Sequence, residues 1–489
     1  MRSTLWAVVD RLAALSHGNR WHLVLAILVS SWMGTAQSLL AQDNPTASSQ
    51  RASSKPNIVF FLIDDLGYAD CGFNGCQDIK TPNIDRLAKA GTVLESLYVQ
   101  PVCSPTRSAL MTGRYATHTG VYTIVRPHAE WGLPLNERTL ANALKQVGYE
   151  TAITGKWHLG EFQPKYLPTS RGFDHQYGHY FGAIDYFTHM REKSHDWYRD
   201  DKELKEEGYS TELVAREACR LIIEKDKTKP LFLYVPFNGV HAPLQVPERY
   251  LAPYENLKGG RRSLAGMLSA VDEAIGKIVA ALESTGQREK TLIVFSADNG
   301  GPSPRTLSNN GPLRAGKGTL YEGGIRASAF INWPGQIPGG ARNKEPLHTV
   351  DWFPTLVKLA GGSLEQPLPL DGRDIWPTLT QGAKSPHDAL LLVQAPTRAA
   401  VRMGDWKLML NASEVDSEAA EVTEKPKGAS KPESLELYNL ANDLGESKNL
   451  VSQEPERVAA MRVKLNEFLK DAVAPGNANK QVTPVRKKK

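Results

Sequence analysis

The sequence predicts an α/β sandwich in which a large sheet is flanked by helices, with a small α+β domain at the C-terminal end. The first reason is a series of continuous apolar runs, at Asn57–Ile63, Leu231–Phe237 and residues 291–296. Such runs are typical of strands buried on both faces. The second reason is that helical patterns, over residues 209–224 and 262–284, separate these runs. Strands that alternate with helices indicate a sheet covered on both sides.

The character of the sequence changes after about Gly382. Short alternating segments predict an antiparallel sheet that is exposed on one face, and a charged stretch predicts a loop. The segments are strands over residues 390–394, 399–403 and 406–411, a loop over 415–434 and a final amphipathic helix over 455–472. The predicted division is therefore a large domain over residues 56–384, a small domain over 385–475 and a basic tail over 476–489.

Further local signals place elements between the apolar runs. Thr81 as N-cap, Pro82 as first helical residue and Gly91 as stop predict a helix. The pattern then predicts a strand over residues 92–99, a helix over 137–147 and a strand over 150–154.

The composition describes an ordinary soluble protein. The chain has 489 residues, which is too long for one core. Its residues are 41% hydrophobic and 23% charged, as in most soluble globular proteins. The formal net charge of +5 is small for this length, and no nucleic-acid-binding motif is present. Nucleic acid is therefore not an expected partner.

The N-terminal segment predicts export to the periplasm or the extracellular space. Arginines precede the apolar run 23–33, and small residues follow near Ala36 and Ala41. This order is typical of a secretory signal over residues 1–41, followed by a polar linker over 42–55. The apolar run is too short to span a membrane, so no stable span is expected. The alternative is an uncleaved membrane anchor or a mis-assigned start.

The stretch from Cys103 to Arg107 predicts a reactive side chain that faces an anion. If Ser104 caps a helix and Pro105 takes its first position, Cys103 lies just outside the helix N-terminus. That end carries partial positive charge and unpaired N–H groups. Arg107 follows Cys103 by four residues and therefore lies on the same helical face.

Only four cysteines occur in the chain, so it is not a disulfide scaffold. Cys71 and Cys76 either pair across a turn or remain two independent thiols. Cys219 lies in a helical pattern and is interpreted as a buried small apolar side chain. Cys103 has no such pattern around it, which makes it an unpaired thiol of interest.

Polar residues with metal-binding side chains follow two of the apolar runs. Asp64 and Asp65 directly follow the first run, and Asp298 and Asn299 follow residues 291–296. Because parallel strands bring their carboxyl ends to one edge of the sheet, we expect these side chains to meet. They offer only oxygen ligands, which suits a hard cation such as Ca²⁺. The alternative for each Asp alone is a turn-forming residue.

Four cations or potential cations lie near the other predicted strand ends or between glycines: Lys156, His158, His241 and Lys317. Each alone is more simply explained as a surface charge or a hydrogen-bonded histidine. Together with the metal ligands, they predict a site for an anion that bridges the metal and the cations.

Seven blocks of the sequence resemble the sulfatase family. CSPTR at residues 103–107, followed by SALMTGRY, resembles its C-x-P-x-R signature, and GYETAITGKWHLG at residues 148–160 resembles its second signature. The other blocks, in family order, are NIVFFLIDDLGYAD, TPNIDRLAKAG, VPFNGVHAP, VFSADNGG and LRAGKGTLYEGGIRAS. The resemblance runs from about Pro56 into the C-terminal region and is strongest to arylsulfatases of the A/B type.

This resemblance implies an alkaline-phosphatase-like fold and a formylglycine made from Cys103 by a maturation enzyme. The hydrated aldehyde would then act as the nucleophile toward sulfur. One Ca²⁺ ion would be held by Asp64, Asp65, Asp298 and Asn299, with the residue made from Cys103 belonging to the same metal site. Arg107 and His158 would stabilise the hydrated aldehyde, Lys156, His241 and Lys317 would bind sulfate oxygens, and His241 or Lys317 would protonate the leaving oxygen.

The expected activity is hydrolysis of an aryl or carbohydrate sulfate, such as a sulfated polysaccharide or a sulfated N-acetylgalactosamine. The alternatives are a phosphodiester or phosphonate monoester hydrolase of the same superfamily, and a secreted protein that binds sulfate without catalysis. Asn299 favours the sulfatase, because the phosphoesterase relatives generally carry histidine among their metal ligands. The aromatic segment 171–187 is equally consistent with a substrate-binding rim and with ordinary packing.

Overall fold

The computed structural model describes residues 55–303, 306–414 and 433–476. The predicted signal segment, nearly all of the linker, most of the loop over 415–434 and nearly all of the tail lie outside the described residues. Contacts group the described residues into one compact unit, and the predicted division near residue 385 stays a prediction. Among the described helices, none combines the length and the apolar character needed to cross a membrane.

A ten-stranded mixed sheet forms the centre of the protein, in the order β13-β2-β12-β11-β1-β10-β4-β5-β8-β9. A four-stranded antiparallel sheet, β15-β16-β17-β18, lies in the C-terminal region. The strands are β1 (Asn57–Ile63), β2 (Thr92–Leu94), β3 (Leu97–Tyr98), β4 (Glu150–Lys156), β5 (His175–His179), β6 (Met190–Arg191), β7 (Ser194–His195), β8 (Tyr198–Arg199), β9 (Lys202–Glu203), β10 (Leu231–Phe237), β11 (Thr291–Ala297), β12 (Ala329–Asn332), β13 (Ala341–Asn343), β14 (Leu347–His348), β15 (Leu390–Ala395), β16 (Arg398–Met403), β17 (Trp406–Leu410) and β18 (Leu435–Asn439).

The helices that cover the large sheet fall into two groups, and members of each group contact one another. One group contains α1, α5, α6 and α7, and the other contains α2, α4 and α9. The α-helices are α1 (Pro82–Lys89), α2 (Cys103–Thr112), α3 (Ala116–Thr119), α4 (Leu140–Gln146), α5 (Ser210–Glu224), α6 (Glu248–Leu251), α7 (Gly259–Ser284), α8 (Glu322–Ile325), α9 (Trp352–Leu359), α10 (Trp376–Thr380) and α11 (Pro455–Leu469). The predicted α/β sandwich is confirmed.

Four neighbouring parallel strands determine where the polar residues of the site come together. Strand β1 lies between β10 and β11 and is parallel to both, so that Ile63 is in register with Phe237 and Ala297. Strand β4 is parallel to β10 on its other side. All residues of β1, β10 and β11 are buried, as their continuous apolar sequences predict. The carboxyl ends of β11, β1, β10 and β4 therefore lie side by side at one edge of the sheet.

The predicted strand over residues 92–99 is interrupted in the structure. Strand β2 pairs with β12 and β13 in the large sheet, whereas β3 pairs with β14 in a separate two-stranded sheet. The chain changes partners at Glu95 and Ser96, whose backbone groups bond to Asn343 O and Leu347 N. Helix α4 begins three residues later than the start of the predicted segment, because Thr139 Oγ1 accepts a hydrogen bond from Asn142 N at 3.0 Å and caps the helix there.

The small C-terminal sheet differs from the prediction in one respect: both of its faces are buried. One face packs on helix α11 and on side chains next to helix α2, and the other packs on the segment around helix α8. Residues of the first face are Leu391, Val393, Val401 and Leu408, with Tyr115, Met461 and Leu465 against them. Residues of the second face are Leu390, Leu392, Ala400 and Met409, with Leu320, Tyr321 and Ile325 against them. The prediction of an exposed face was therefore wrong. Strand β18 was not predicted.

All four cysteines are free thiols in the structure. Cys71 and Cys76 are buried and unpaired with each other, which selects the second of the two interpretations given above. Cys219 is only half-buried and packs at the edge of the main core, so it is less enclosed than predicted. Cys76 also lines a cavity of about 490 Å³, and none of the predicted site residues lines this cavity.

Candidate active site

The four predicted metal ligands are brought together at the edge of the large sheet. Asp65 N donates to Asp298 Oδ1 at 3.2 Å, and Asn299 Nδ2 donates to Asp65 Oδ1 at 2.8 Å. All four residues are at most 2% exposed. Ligand atoms of Asp64, Asp65, Asp298 and Cys103 lie within 4.8 Å of one another. The strand ends have therefore assembled a compact group of donors, as the topology of parallel strands requires.

The chemistry of this group fits a hard divalent cation. Its carboxylates and the Asn299 amide supply oxygen donors, which Ca²⁺ prefers over nitrogen or sulfur. Asn299 Oδ1 is buried and has no hydrogen-bond partner within the described part of the chain. A buried acceptor without a partner costs free energy unless a ligand satisfies it. The residues that would hold the cation are therefore Asp64, Asp65, Asp298 and Asn299.

Helix α2 carries Cys103, but its start differs from the prediction. The helix begins at Cys103 itself, with Val102 as the residue before it. Ser104 does not cap the helix, because its hydroxyl is used elsewhere. Ser104 Oγ donates to His158 O at 2.9 Å and accepts from Val125 N at 3.0 Å. Ser104 thus ties the first turn of α2 to the segment that follows β4.

The Cys103 thiol lies against the carboxylates. Its Sγ is 3.3 Å from Asp64 Oδ1, and the residue is 1% exposed. Burial raises the pKa of the Cys103 thiol well above its usual value, and the charges of Asp298 and Asp64 raise it further. A thiol held in its protonated form is a poor nucleophile. An unmodified Cys103 is therefore badly suited to attack an ester.

Arg107 and Lys156 provide buried positive charge next to the carboxylates. Arg107 Nη2 is 2.7 Å from Asp298 Oδ2, and Arg107 Nη1 donates to Lys156 O at 3.0 Å. Lys156 Nζ donates to Asp64 Oδ2 in a short contact. Both side chains are fully buried, and pairing with carboxylates is what allows such charges to remain inside a protein.

Lys317 and His241 contact the third carboxylate, that of Asp65. Lys317 Nζ is 2.9 Å from Asp65 Oδ1, and His241 Nε2 is 3.6 Å from Asp65 Oδ2. Because a carbonyl oxygen only accepts, the 2.5 Å contact of His241 Nδ1 with Ala242 O places a proton on Nδ1. The Nε2 atom is thus the one that faces the site.

His158 lies beside these groups in an uncharged form. Burial lowers the pKa of His158 well below its usual value, and the charges of Lys156 and Arg107 lower it further. Its ring is in close contact with Gly182, where a Cβ atom would lie 2.5 Å from His158 Nε2. Only glycine leaves room for the imidazole in this position. The structure thus places all ten predicted site residues at one edge of the sheet.

The site contains buried charges of both signs, and these charges shift the pKa values of its carboxyl groups. Burial alone would raise the pKa of Asp65, but Lys317 and His241 hold it well below its usual value. Burial and the neighbouring Asp64 raise the pKa of Asp298 to about 6, against the opposite effect of Arg107. Three carboxylates face three permanent cations here, so a divalent cation would leave the site positive. A positive, enclosed site attracts an anion.

The sequence did not single out the side chain that fixes the His241 loop. Tyr186 OH lies 2.6 Å from Asn238 O and 2.7 Å from His241 O. Tyr186 belongs to the aromatic segment 171–187, most of whose aromatic rings are buried, whereas Phe187 is 43% exposed. The burial of most of these rings is what the packing interpretation of the segment predicts. The signal available in advance was the tyrosine itself, since a buried phenol requires a polar partner.

Comparison with known proteins identifies the family. The family model described as Sulfatase matches residues 56–363. Arylsulfatase J of Mus musculus is 41% identical over 380 residues, which are 76% of this chain and 63% of that relative. Arylsulfatase A of Homo sapiens is 33% identical over 453 residues, which are 86% of this chain and 87% of that relative. The chain therefore belongs to the sulfatase family, as the seven blocks predicted.

Solved structures support the same fold. The crystal structure of Ps i-CgsB in complex with k-i-k-neocarrahexaose has a TM-score of 0.77 and 34% identity, and the match covers 86% of this chain and 94% of that one. The PsFucS1 sulfatase from Pseudoalteromonas sp. has a TM-score of 0.72 and 26% identity, with 85% of this chain and 90% of that one covered. The predicted alkaline-phosphatase-like fold is confirmed.

Proposed function

We propose that the protein hydrolyses sulfate esters of carbohydrates, with a formylglycine made from Cys103 and one Ca²⁺ ion at the sheet edge. The observation that carries the proposal is the enclosed group of oxygen donors, with the Cys103 side chain against it and with Arg107, Lys156 and Lys317 around it. A positive site of this kind suits an anionic ester. When present, the modified residue supplies a hydrated aldehyde as nucleophile, and the cation supplies charge for the sulfate oxygens.

The buried thiol supports conversion of Cys103. Its raised pKa keeps it protonated, and sulfur is a soft ligand that suits Ca²⁺ poorly. Conversion to an oxygen-bearing side chain would replace the protonated thiol and would give the site an oxygen ligand in place of sulfur. The proposal includes a maturation enzyme as a partner and export to the periplasm or the extracellular space.

The side chains of the site would have separate roles in binding sulfate, transferring a proton and orienting other groups. Lys156 and Lys317 would hold sulfate oxygens, because their ammonium groups already face the carboxylates. His241, protonated at both ring nitrogens, would deliver its Nε2 proton to the leaving oxygen, and the Lys317 ammonium would stabilise the charge that develops there. Arg107 would orient Asp298 and the Lys156 carbonyl through its two terminal nitrogens. His158, uncharged, would hydrogen-bond to the modified side chain.

Names of relatives support a sulfated saccharide as substrate. An N-acetylgalactosamine-6-sulfatase of Mus musculus is 33% identical over 385 residues, which are 73% of this chain and 72% of that relative. Ps i-CgsB was crystallised with a neocarrahexaose. We therefore include sulfated polysaccharides and sulfated N-acetylgalactosamine as the substrate class. A phosphonate monoester hydrolase of Agrobacterium radiobacter shares 20% identity, a similarity that bears on the fold alone.

Release of inorganic sulfate tests the proposal. Protein whose 102–107 peptide carries formylglycine by mass spectrometry should release sulfate from defined sulfated saccharides and from 4-nitrophenyl sulfate. Cys103→Ala should abolish release, and Cys219→Ala, which alters a thiol outside the site, should not. Faster hydrolysis of bis(4-nitrophenyl) phosphate than of any sulfate ester would favour the phosphoesterase instead. Full activity with an unmodified Cys103 would contradict the mechanism.

A further inference from the structure

The C-terminal sheet reaches the active site through one side chain. Gln394, on strand β15, is 8% exposed, and its Nε2 donates to Gly318 O at 2.8 Å. Gly318 directly follows Lys317, the lysine that contacts Asp65. Gln394 of the small sheet is thus linked to the Asp65 carboxylate through the backbone of Gly318 and the side chain of Lys317.

An irregularity in the sheet directs Gln394 to this position. In the pairing of β15 with β16, Val393 is opposite Ala399 and Ala395 is opposite Arg398, so Gln394 is an extra residue without a partner. An extra residue of this kind is a β-bulge, which bends the strand and redirects a side chain. Bulges are frequent beside active sites. Here the bulge lies where the edge strand β15 faces the loop that contains Lys317.

Backbone hydrogen bonds hold the loop that contains Lys317 at the lysine itself and at the next residue. Lys317 N donates to Gly301 O at 3.2 Å, and Gly318 N donates to Pro101 O at 2.8 Å. Gly318 has a φ of +80°, which favours glycine. The hydrogen bond from Gln394 fixes the carbonyl of the same glycine. These contacts together fix the peptide planes on which the direction of the Lys317 side chain depends.

A second contact joins the same strand to the segment before the nucleophile. Val393 N donates to Gln100 Oε1 at 3.2 Å, and Gln100 N donates to Thr106 Oγ1 at 2.9 Å within helix α2. Strand β15 therefore touches both the Lys317 loop and the start of the Cys103 helix. Its position beside the site does not depend on the Gln394 hydrogen bond alone, so removal of that bond should leave the strand in place.

We propose that Gln394 is a positioning residue that holds Lys317 in register with Asp65 and with the sulfate ester. This inference rests on the proposed function. Gln394 acts through the Gly318 carbonyl and does not touch the substrate. The C-terminal sheet then contributes to the active site. The position of the Lys317 side chain relative to the leaving oxygen depends on the Gln394 hydrogen bond.

Leaving-group dependence distinguishes this role from a merely structural one. Displacement of Lys317 weakens the stabilisation of charge that develops on the leaving oxygen, and poor leaving groups need this stabilisation most. For Gln394→Leu we expect kcat to fall about tenfold with 4-methoxyphenyl sulfate and less than about threefold with 4-nitrophenyl sulfate. Gln394→Glu, nearly equal in shape, replaces the donor by an acceptor and should act in the same direction. It also serves if Gln394→Leu does not fold.

A double-mutant cycle tests whether Gln394 acts through Lys317. In the Lys317→Ala background, Gln394→Leu should have no further effect on kcat, because residues that act as a unit are non-additive. Thr397→Ala, at the exposed tip of the same hairpin, is the matched control and should leave kcat unchanged for both substrates.

Two results would overturn the inference. Equal losses of kcat with both leaving groups would indicate a general structural effect, and so would an additional loss in the Lys317→Ala background. Failure of the proposed function has a different signature, namely no sulfate release by wild-type protein with verified formylglycine. That result would also remove the reaction to which Gln394 is assigned.

Discussion

Arg107 Nη2 lies 2.7 Å from Asp298 Oδ2, and the same guanidinium donates through Nη1 to the backbone oxygen of Lys156. The contact joins helix α2 to the ends of strands β11 and β4. A planar group with several donors can make both bonds at once, and an ammonium group cannot make them in the same geometry. The orientation of one carboxylate of the proposed metal site is therefore set by an arginine on the helix that carries Cys103.

Arg107→Lys should disable the site while conserving charge. Lysine keeps the positive charge but loses one of the two directed bonds, so Asp298 is no longer held in one orientation. We expect kcat/KM for 4-nitrophenyl sulfate to fall by about 100-fold. Arg249→Lys, which alters an exposed pair with Glu212, is the control and should retain full activity. Equal activity of the two variants would show that charge alone matters at position 107.

Calcium should stabilise the protein through Asn299 Oδ1. After treatment with a chelator, added Ca²⁺ should raise Tm, because a ligand at 100 times its Kd stabilises the folded state by about 2.7 kcal/mol. Asn299→Leu removes the unpartnered oxygen and should lose most of this increase. Asp226→Asn, at an exposed carboxylate, should keep it. An unchanged response in Asn299→Leu would mean that the cation binds without this oxygen.

Tyr186→Phe should slow the reaction more than it destabilises the fold. The variant loses the hydroxyl that contacts Asn238 O and His241 O, so the His241 loop gains freedom. We expect kcat to fall about tenfold and stability to fall by about 1 kcal/mol. Tyr122→Phe removes a similar bond, to Val473 O at 3.0 Å, and should show only the loss of stability. Comparable kcat values in both variants would contradict a role for Tyr186 in placing His241.

The attachment of the C-terminal sheet should depend on pH through Glu446. Lys407 Nζ lies 2.6 Å from Glu446 Oε1 and 2.9 Å from Glu322 Oε1, and all three side chains are buried. Burial raises the pKa of Glu446 from 4.5 to about 7, although Lys407 acts in the opposite direction. Between these two values the folded protein holds more protons than the unfolded chain. Its stability therefore falls as pH rises from about 4.5 to about 7.

Glu446→Gln tests this dependence. Above pH 7 the wild type carries the cost of a buried charge, which the variant lacks. The difference in Tm between pH 5 and pH 8 should therefore be smaller in Glu446→Gln than in the wild type. Glu433→Gln, which alters an exposed pair with Arg462, should behave as the wild type does. A pH dependence that is the same in all three proteins would exclude Glu446 as its source.

The positions of the strand-end residues could be predicted from the sequence. Hydrogen bonds between segments far apart in the sequence could not. Asp64 and Asp298 could be placed together because apolar runs of this type form adjacent parallel strands, and the observed register agrees. The helix start at Cys103 could not be foreseen, since Ser104 was expected to bond to its own helix. It bonds instead to His158 O, which is 54 positions further along the chain.

The burial of the C-terminal sheet had no local signal. Alternating residues usually leave one face to solvent, and only the packing of helix α11 and of residues near helix α8 covers both faces here. Gln394 likewise has no distinguishing neighbours in the sequence. Its importance follows from a one-residue irregularity in strand pairing, which depends on how two whole strands align.

Cys103 is only 1% exposed in the folded protein. Folding and chemical conversion of this residue therefore compete, because folding encloses the thiol. For a protein proposed to need conversion at this residue, an enzyme can reach the thiol only before the fold closes over it. A chain that folds first is trapped as an inert thiol form, and that form should resist conversion until it is unfolded. The converted fraction of the 102–107 peptide should therefore rise when folding is slowed, and mass spectrometry at two expression temperatures measures it. An equal converted fraction at both temperatures would indicate that competition with folding does not limit the conversion.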